Sequence, residues 1–392
     1  MRFLHTSDWH LGRSFHGVGL LGAQAAYADH LVALVRAEQV EAVLVSGDVY
    51  DRALPSPDTV ELLSETMTRL VDTGVQVILS SGNHDSAIRL GFASDLLSRA
   101  GLHIRSAVSA IGRPVVVGDV AVQAIPYLEP SQVAGPLGVD ERTHAAVLRA
   151  AMARVEADTA TRGLPTVVMA HAFVTGCATS DSERDIAAGG VSAVHPDVFA
   201  GAAYAALGHL HRPQQVAEQT RYSGSPVAMS FSEAGHTKVS LLVDLDRSGL
   251  HSVTPVPAPV ERPLATIRGD LADLLADPRH TPVQGSWVQA TLTDPVRPAG
   301  AMERLRTRFP HTLELRFEPV GAVLDTRTYA TRLRSARSEV DVCCDFLGHV
   351  REGRAASDDE REVLVEAVEQ VRLDRVATDD RVPVASRRQG AA

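Results

Sequence analysis

Asp8 and His10 stand two residues apart near the start of the chain, and His209 and His211 repeat that spacing far downstream. In extended backbone, residues i and i+2 face one side, so each pair can aim two donor atoms at one point. Between the pairs come Gly47-Asp48, Gly82-Asn83-His84-Asp85 and His171. Carboxylates, imidazoles and a carboxamide oxygen suit borderline-hard divalent ions such as manganese or iron, and a set without thiolates speaks against structural zinc. Glycine before Asp48, Asn83 and His209 lets the backbone turn and approach a ligand closely. Asp8, His10, Asp48, Asn83, His171, His209 and His211 are too many ligands for one ion. With one carboxylate bridging, two ions roughly 3.5–4 Å apart are the simplest reading. Such a pair lowers the pKa of a water toward ~7 and clamps the oxygens of a phosphate during in-line displacement. His84 is expected beside the ions as general acid for the leaving oxygen, with Asp85 orienting it.

A single histidine is more often a core or surface residue than a ligand. His5, His16, His30, His103, His144, His195, His236 and those beyond residue 250 are read that way. Asp51 falls between a supporting role and a metal contact. Arg13, Arg52 and Arg184 are read as solvated, because nearly all positive charge in this chain is arginine.

The elements that must gather these residues follow from periodicity. Arg2–Ser7, Ala42–Ser46 and Val75–Ser80 read as strands, each ending just before a cluster. Helical spacing runs over Gln24–Gln39 and over Asp58–Leu70. This β-α-β-α-β rhythm predicts a parallel sheet with helices on its faces, and ligands at the carboxyl ends of its strands. Further strands are expected at Pro114–Ile125, Thr166–Ala170, Ala205–Leu207 and Val239–Asp244, with a helix over Arg142–Thr161. Thr254–Val260 carries proline at every second position and reads as a linker. Beyond it, strands at Leu264–Arg268, Trp287–Leu292 and Thr312–Phe317, with helices around Leu271 and Leu305, predict a small α/β domain. Ser357-Asp358-Asp359-Glu360 is a capping box opening a helix. Its apolar stripe of Val363, Leu364, Ala367, Val368 and Val371 matches a second stripe through Val340, Cys343, Phe346, Leu347 and Val350. Two such helices bury too little to stand alone and need the rest of the chain or a partner.

Composition narrows the class. Hydrophobic content of 45% supports a sizeable core, and mean hydropathy is near zero. No apolar run reaches the length of a membrane span and the N-terminus carries no secretory pattern, so a cytoplasmic protein is expected. Three cysteines without zinc or disulfide spacing fit a reducing compartment. The only lysine, Lys238, lies outside any glycine-rich turn, which excludes a phosphate-binding Walker loop. A net charge of -10 means that work on DNA requires a locally positive groove or charge from a partner.

Asp8-x-His10, Gly47-Asp48-x-x-Asp51, Gly82-Asn83-His84-Asp85, His171 and Gly208-His209-x-His211 together resemble the calcineurin-like metallophosphoesterase superfamily, over roughly residues 1–245. His5–Gly12, Asp181–Ile186, Ala206–Arg212 and Arg221–Pro226 further resemble the SbcD family of exonuclease subunits. The resemblance implies one metal on Asp8, His10, Asp48 and His211, and another on Asp48, Asn83, His171 and His209, with Asp48 bridging and His84 a non-ligand catalytic histidine. It implies manganese, with magnesium or iron as alternatives, and an α/β four-layer sandwich over residues 1–255. It also implies a small α/β capping domain over 256–325 that binds DNA, and a helical segment over 326–377 that docks on an SbcC-type, SMC-like ATPase. Residues 378–392 are then a tail. The expected activity is phosphodiester hydrolysis in double- and single-stranded DNA, within a two-plus-two assembly containing a homodimer. The alternatives are a phosphoesterase acting on cyclic nucleotides or other small phosphoesters, and a non-catalytic scaffold for the ATPase.

Overall fold

The computed structural model describes residues 1–183, 193–320, 338–351 and 355–379, the last eight of these by backbone alone. The chain separates into two compact units, one of Met1–Thr266 with Gly285–Trp287 and one of Ile267–Gln284 with Val288–Ala392.

Two six-stranded sheets build the first unit. One has the order β14 (Gly249–Pro257), β13 (Val239–Asp246), β1 (Arg2–Thr6), β4 (Ala42–Ser46), β5 (Gln76–Ser80), β6 (Leu102–Arg105). The other runs β11 (Gln214–Gln215), β12 (Thr220–Tyr222), β10 (Tyr204–Gly208), β9 (Thr166–His171), β8 (Val120–Ala124), β7 (Val115–Val117). A small hairpin, β2 (Ser14–Phe15) with β3 (Val18–Gly19), lies between β1 and the first helix in sequence. Four neighbouring strands of each sheet are parallel: β1, β4, β5 and β6 in one, β12, β10, β9 and β8 in the other.

Alternation along β4 shows how the layers form. Ala42 and Leu44 pack with Val167, Met169 and Ala206 of the facing sheet, whereas Val43 and Val45 pack with helical Leu31, Val35, Leu63 and Leu70. The helices Leu21–Ala37 and Pro57–Val71 cover that outer face, and Pro130–Leu137 and His144–Arg162 cover the other sheet. Strands buried on both faces need the near-continuous apolar runs seen here. The result is the expected four-layer sandwich, helix–sheet–sheet–helix.

Two stretches differ from their sequence reading. Pro114–Ile125 is an antiparallel hairpin, broken at Gly118, whose φ of 52° reverses the chain. Thr254–Pro257 is not linker but the end of β14, paired with β13 through Leu241–Pro255 and Val239–Pro257. β14 is an edge strand. Prolines two residues apart share one phase of the ladder, so each missing N–H can point away from β13.

The second unit rests on a three-stranded sheet, β15 (Leu264–Gly269), β16 (Trp287–Leu292) and β17 (Thr312–Phe317). Helices Leu271–Ala276 and Ala301–Arg308 bury Leu271, Leu274 and Leu305, as do Val288 and Ala290 on β16. Further on, helices Glu339–Val350 and Asp358–Asp379 pair, joined by Arg361–Asp341 at 2.7 Å and Arg351–Glu360 at 2.9 Å. The capping box is formed: Ser357 N donates to Glu360 Oε2 at 2.9 Å, and Glu360 N to Ser357 Oγ at 3.3 Å. Part of the 326–377 segment, and all of the tail beyond Asp379, lie outside the described residues.

Candidate metal centre

Every cluster lies at the carboxyl end of a strand. Asp8 and His10 follow β1, Asp48 follows β4, Asn83 and His84 follow β5, His171 ends β9, and His209 and His211 follow β10. Sheet order puts β1, β4 and β5 side by side, with β9 and β10 adjacent in the facing sheet. Asp8 (φ 54°), His10 (φ 44°), Asp48 (φ 49°) and His209 (φ 109°) hold positive φ, four of the seven such non-glycine residues among those described. A non-glycine residue there costs roughly 1–3 kcal/mol, and strain gathered on one rim marks a functional site.

Packing between strand ends is close enough to fix residue type. A Cβ on Gly208 would overlap the Ser46 carbonyl oxygen, and one on Gly82 would overlap Asp48. The loops are tied further by Gln24, which bonds the carbonyls of Trp9 (3.2 Å) and His10 (2.7 Å) and accepts from Gly12 N (3.0 Å).

Among the described residues, three sets of donor atoms each converge within 4.8 Å: Asp8, His10 and His211; Asp8, Asp48 and His171; and His10, Asp48 and His84. Asp48 Oδ2 lies 3.5 Å from both His10 Nε2 and His171 Nε2. Asn83 Oδ1 lies 2.9 Å from His171 Nε2, and the Nε2 atoms of His10 and His211 are 3.1 Å apart. His209 packs its ring 5.3 Å from that of His171, while its backbone N–H donates to Asp8 Oδ1 at 2.9 Å. Its ring is in none of the three convergent sets, and His84, expected outside the ligand set, is in one.

The donor set fits divalent ions on an argument from hydrogens. His171 Nδ1 is 3.0 Å from the Ser46 carbonyl, which only accepts, so Nδ1 carries the proton. Burial would lower His171, but Asp48 and Asp8 outweigh it and raise it to about 9, so in the metal-free chain Nε2 also carries a proton, set between Asn83 Oδ1 and Asp48 Oδ2. A divalent cation would displace that proton and take the same three donor atoms. Burial holds His10 neutral, well below its ordinary pKa, and burial with the nearby His171 lowers His209 to about 3. Burial would raise Asp48, but His171, His10 and His84 outweigh it and keep the carboxylate ionised. Neutral His10 and His209 beside an ionised Asp48 are in the forms that ligate metal, and His171 reaches that form on losing its Nε2 proton to an incoming ion.

His84 needs a correction. Its Nδ1 donates to the carbonyl of Asp51 at 2.7 Å, leaving Nε2 facing Asp48 Oδ2 at 4.0 Å. Asp85, expected to orient it, instead accepts the N–H groups of Val49 (3.1 Å), Tyr50 (2.9 Å) and Gly82 (2.9 Å). Asp85 therefore joins the Asp48 and Asn83 loops through the backbone. Asp51 also pairs with Arg13 at 3.2 Å, so Arg13 is structural rather than solvated. Arg52 is 69% exposed, and Arg184 lies outside the described residues.

Sequence reasoning missed the supports of His211. Ser182 Oγ lies 2.6 Å from its Nδ1, Glu183 Oε1 accepts its N–H at 2.7 Å, and Lys238 Nζ donates to its carbonyl at 3.0 Å. The signals were present in the Asp181–Ile186 string and in the singular Lys238, without an indication of what they touch.

Residues 1–125 match the family of calcineurin-like phosphoesterases, and residues 260–350 match a family described as type 5 capsule protein repressor C-terminal domain. The SbcD subunit of the SbcCD nuclease of Escherichia coli K12 is 33% identical over 293 residues, covering 70% of this chain and 73% of that protein. Its namesake from Rhodobacter capsulatus is 37% identical over 284 residues, covering 66% and 70%. The fold and site define a metallophosphoesterase, whose chemistry runs on divalent metal ions. More narrowly, the chain belongs to the SbcD family of nuclease subunits.

Proposed function

We propose that this chain is the manganese-dependent DNA-cleaving subunit of a repair and recombination complex with an SbcC-type ATPase. The observation that carries the reading is the convergence of Asp8, His10, Asp48, Asn83, His171 and His211 donor atoms on one buried rim. Asp8, His10 and His211 would hold one divalent ion and Asn83 and His171 the other, with Asp48 shared and His209 closing the second set. Bound there, two such ions supply an activated water and neutralise charge on the phosphate. His84, its Nδ1–H held by the Asp51 carbonyl, would deliver to the leaving oxygen a second proton carried on Nε2 in the imidazolium form. Nitrogen and oxygen donors of this kind suit manganese, with magnesium or iron as competitors.

The rest of the reading draws on surfaces described unit by unit. The three-stranded α/β fold is the proposed DNA-binding cap. The terminal helical pair leaves Phe346 (50%), Val363 (64%) and Val371 (52%) exposed, an apolar stripe that supports docking on the ATPase. In the first unit Ile88, Phe92 and Leu96, spaced four apart, are exposed, as are Leu54 and Val60. Exposed apolar side chains of this kind support a homodimer within the two-plus-two assembly. Among the described residues no helix is long and apolar enough to cross a membrane.

Manganese-dependent cleavage of plasmid and linear DNA, with and without the ATPase, tests the reading. Turnover of cyclic nucleotides without turnover of DNA would overturn it.

A further inference from the structure

Ser182 has one hydrogen and three polar neighbours. Its buried Oγ lies 2.6 Å from His211 Nδ1 and 2.8 Å from Ser180 Oγ, and it also hydrogen-bonds Glu233 Oε1. Glu233 is a buried carboxylate in an ion pair with Lys238, so it accepts and has nothing to give. Ser180 gives its own hydrogen to Glu183 Oε1 at 3.2 Å, and a carboxylate is a stronger acceptor than a hydroxyl, so the Ser182 hydrogen goes to Glu233 and the Ser182 oxygen accepts from Nδ1–H of His211. One proton on Nδ1 leaves the Nε2 lone pair of His211 facing the rim, where Asp8 and His10 converge.

The rest of the assembly holds this arrangement rigid. The three ammonium hydrogens of Lys238 meet Glu233, the His211 carbonyl at 3.0 Å and Ser225 Oγ at 2.9 Å. Glu183 takes the His211 N–H, and Arg13 donates to the Ser182 carbonyl at 2.9 Å. The segment that brings in Ser182 and Glu183 lies far from β10 in sequence, so its contribution is tertiary.

We propose that Ser182, Glu233 and Lys238 form a positioning relay that fixes His211 in the Nδ1–H tautomer and so keeps its Nε2 available to a metal ion. This rests on the reading of His211 as a metal-holding residue. The relay touches neither substrate nor the reacting atoms. Outer partners of metal-bound imidazoles change metal affinity by about 10–100-fold when removed.

The test is calorimetric titration of manganese into the metal-stripped full-length chain. Wild type should take up two ions. Ser182→Ala should still fold and melt cooperatively in chelator, a few degrees below wild type for the buried hydrogen bonds it loses, yet bind one of the two ions at least roughly tenfold more weakly. Ser182→Thr, which retains the hydroxyl, should restore binding. A second variant, Glu233→Leu with Lys238→Met, removes both charges together and avoids leaving a buried one alone. It frees the serine hydrogen to point at Nδ1, which moves the imidazole proton to Nε2, and should weaken the same ion with Ser182 intact. Wild-type affinity for both ions in Ser182→Ala overturns the relay and leaves the metal centre standing. A wild-type chain that takes up no manganese overturns both.

Discussion

Asn83 Oδ1 lies 2.9 Å from His171 Nε2, although the other nitrogen of that ring already donates to the Ser46 carbonyl. Held at about 9 by Asp48 and Asp8 against its burial, His171 fills this contact with an Nε2 proton in the metal-free chain, and a divalent cation shared by the same atoms would take that proton's place. Four residues in positive-φ backbone along the same rim accord with a metal site there.

Asp48 joins His10, His171 and His84, so its loss should be felt throughout the site. Asp48→Ala, and likewise Asp8→Ala, should lose bound manganese and nuclease activity together. Metal analysis of the purified variants checks this, and a variant with full metal and no activity would contradict it.

His84 is expected to move a proton and not to hold an ion. His84→Gln should keep both manganese ions while turnover falls by about 10²–10⁴-fold, the usual share of a general acid. Loss of metal in this variant would assign His84 to the ligand set in which geometry also places it.

Gly208, at the end of β10, lies against the Ser46 carbonyl at the end of β4 in the facing sheet. Gly208→Ala drives a methyl group into the Ser46 carbonyl oxygen, a backbone atom that cannot swing aside. Overpacking of this kind costs about 1–3 kcal/mol or more, so melting should fall by several degrees and manganese uptake should drop with it.

His5 supplies a pH dependence separate from the ligands. It is fully buried between Tyr204 and Leu207, and burial lowers it from 6.5 to about 3. The unfolded chain binds this proton below pH 6.5 and the folded chain does not. Its stability contribution is therefore whole above pH 6.5 and lost progressively as pH falls toward 3. In chelator, His5→Gln should show a shallower decline between pH 6 and 4, by roughly 1.4 kcal/mol per pH unit. Denaturant melts across that range measure it, and parallel curves would contradict it.

Much of this was legible in the sequence because it is local. Apolar runs ending in Gly47-Asp48 and Gly82-Asn83 mark strand ends and ligands at once, and Ser357–Glu360 carries its own helix signal. Thr254–Pro257 escapes such a reading because proline alternation suits both an extended linker and an edge strand, and only β13 beside it decides. The partner of His84, the role of Asp85 and the Ser182–Glu233–Lys238 relay depend on which loops meet across the rim. Residue type and spacing do not encode that.

The most direct test is a crystal of the full-length chain soaked in manganese and measured at the manganese absorption edge. Two anomalous peaks are predicted, one among Asp8, His10 and His211 and one beside Asn83 and His171, with the Asp48 carboxylate between them. A lone peak, or ions bound away from these side chains, would contradict the two-metal account.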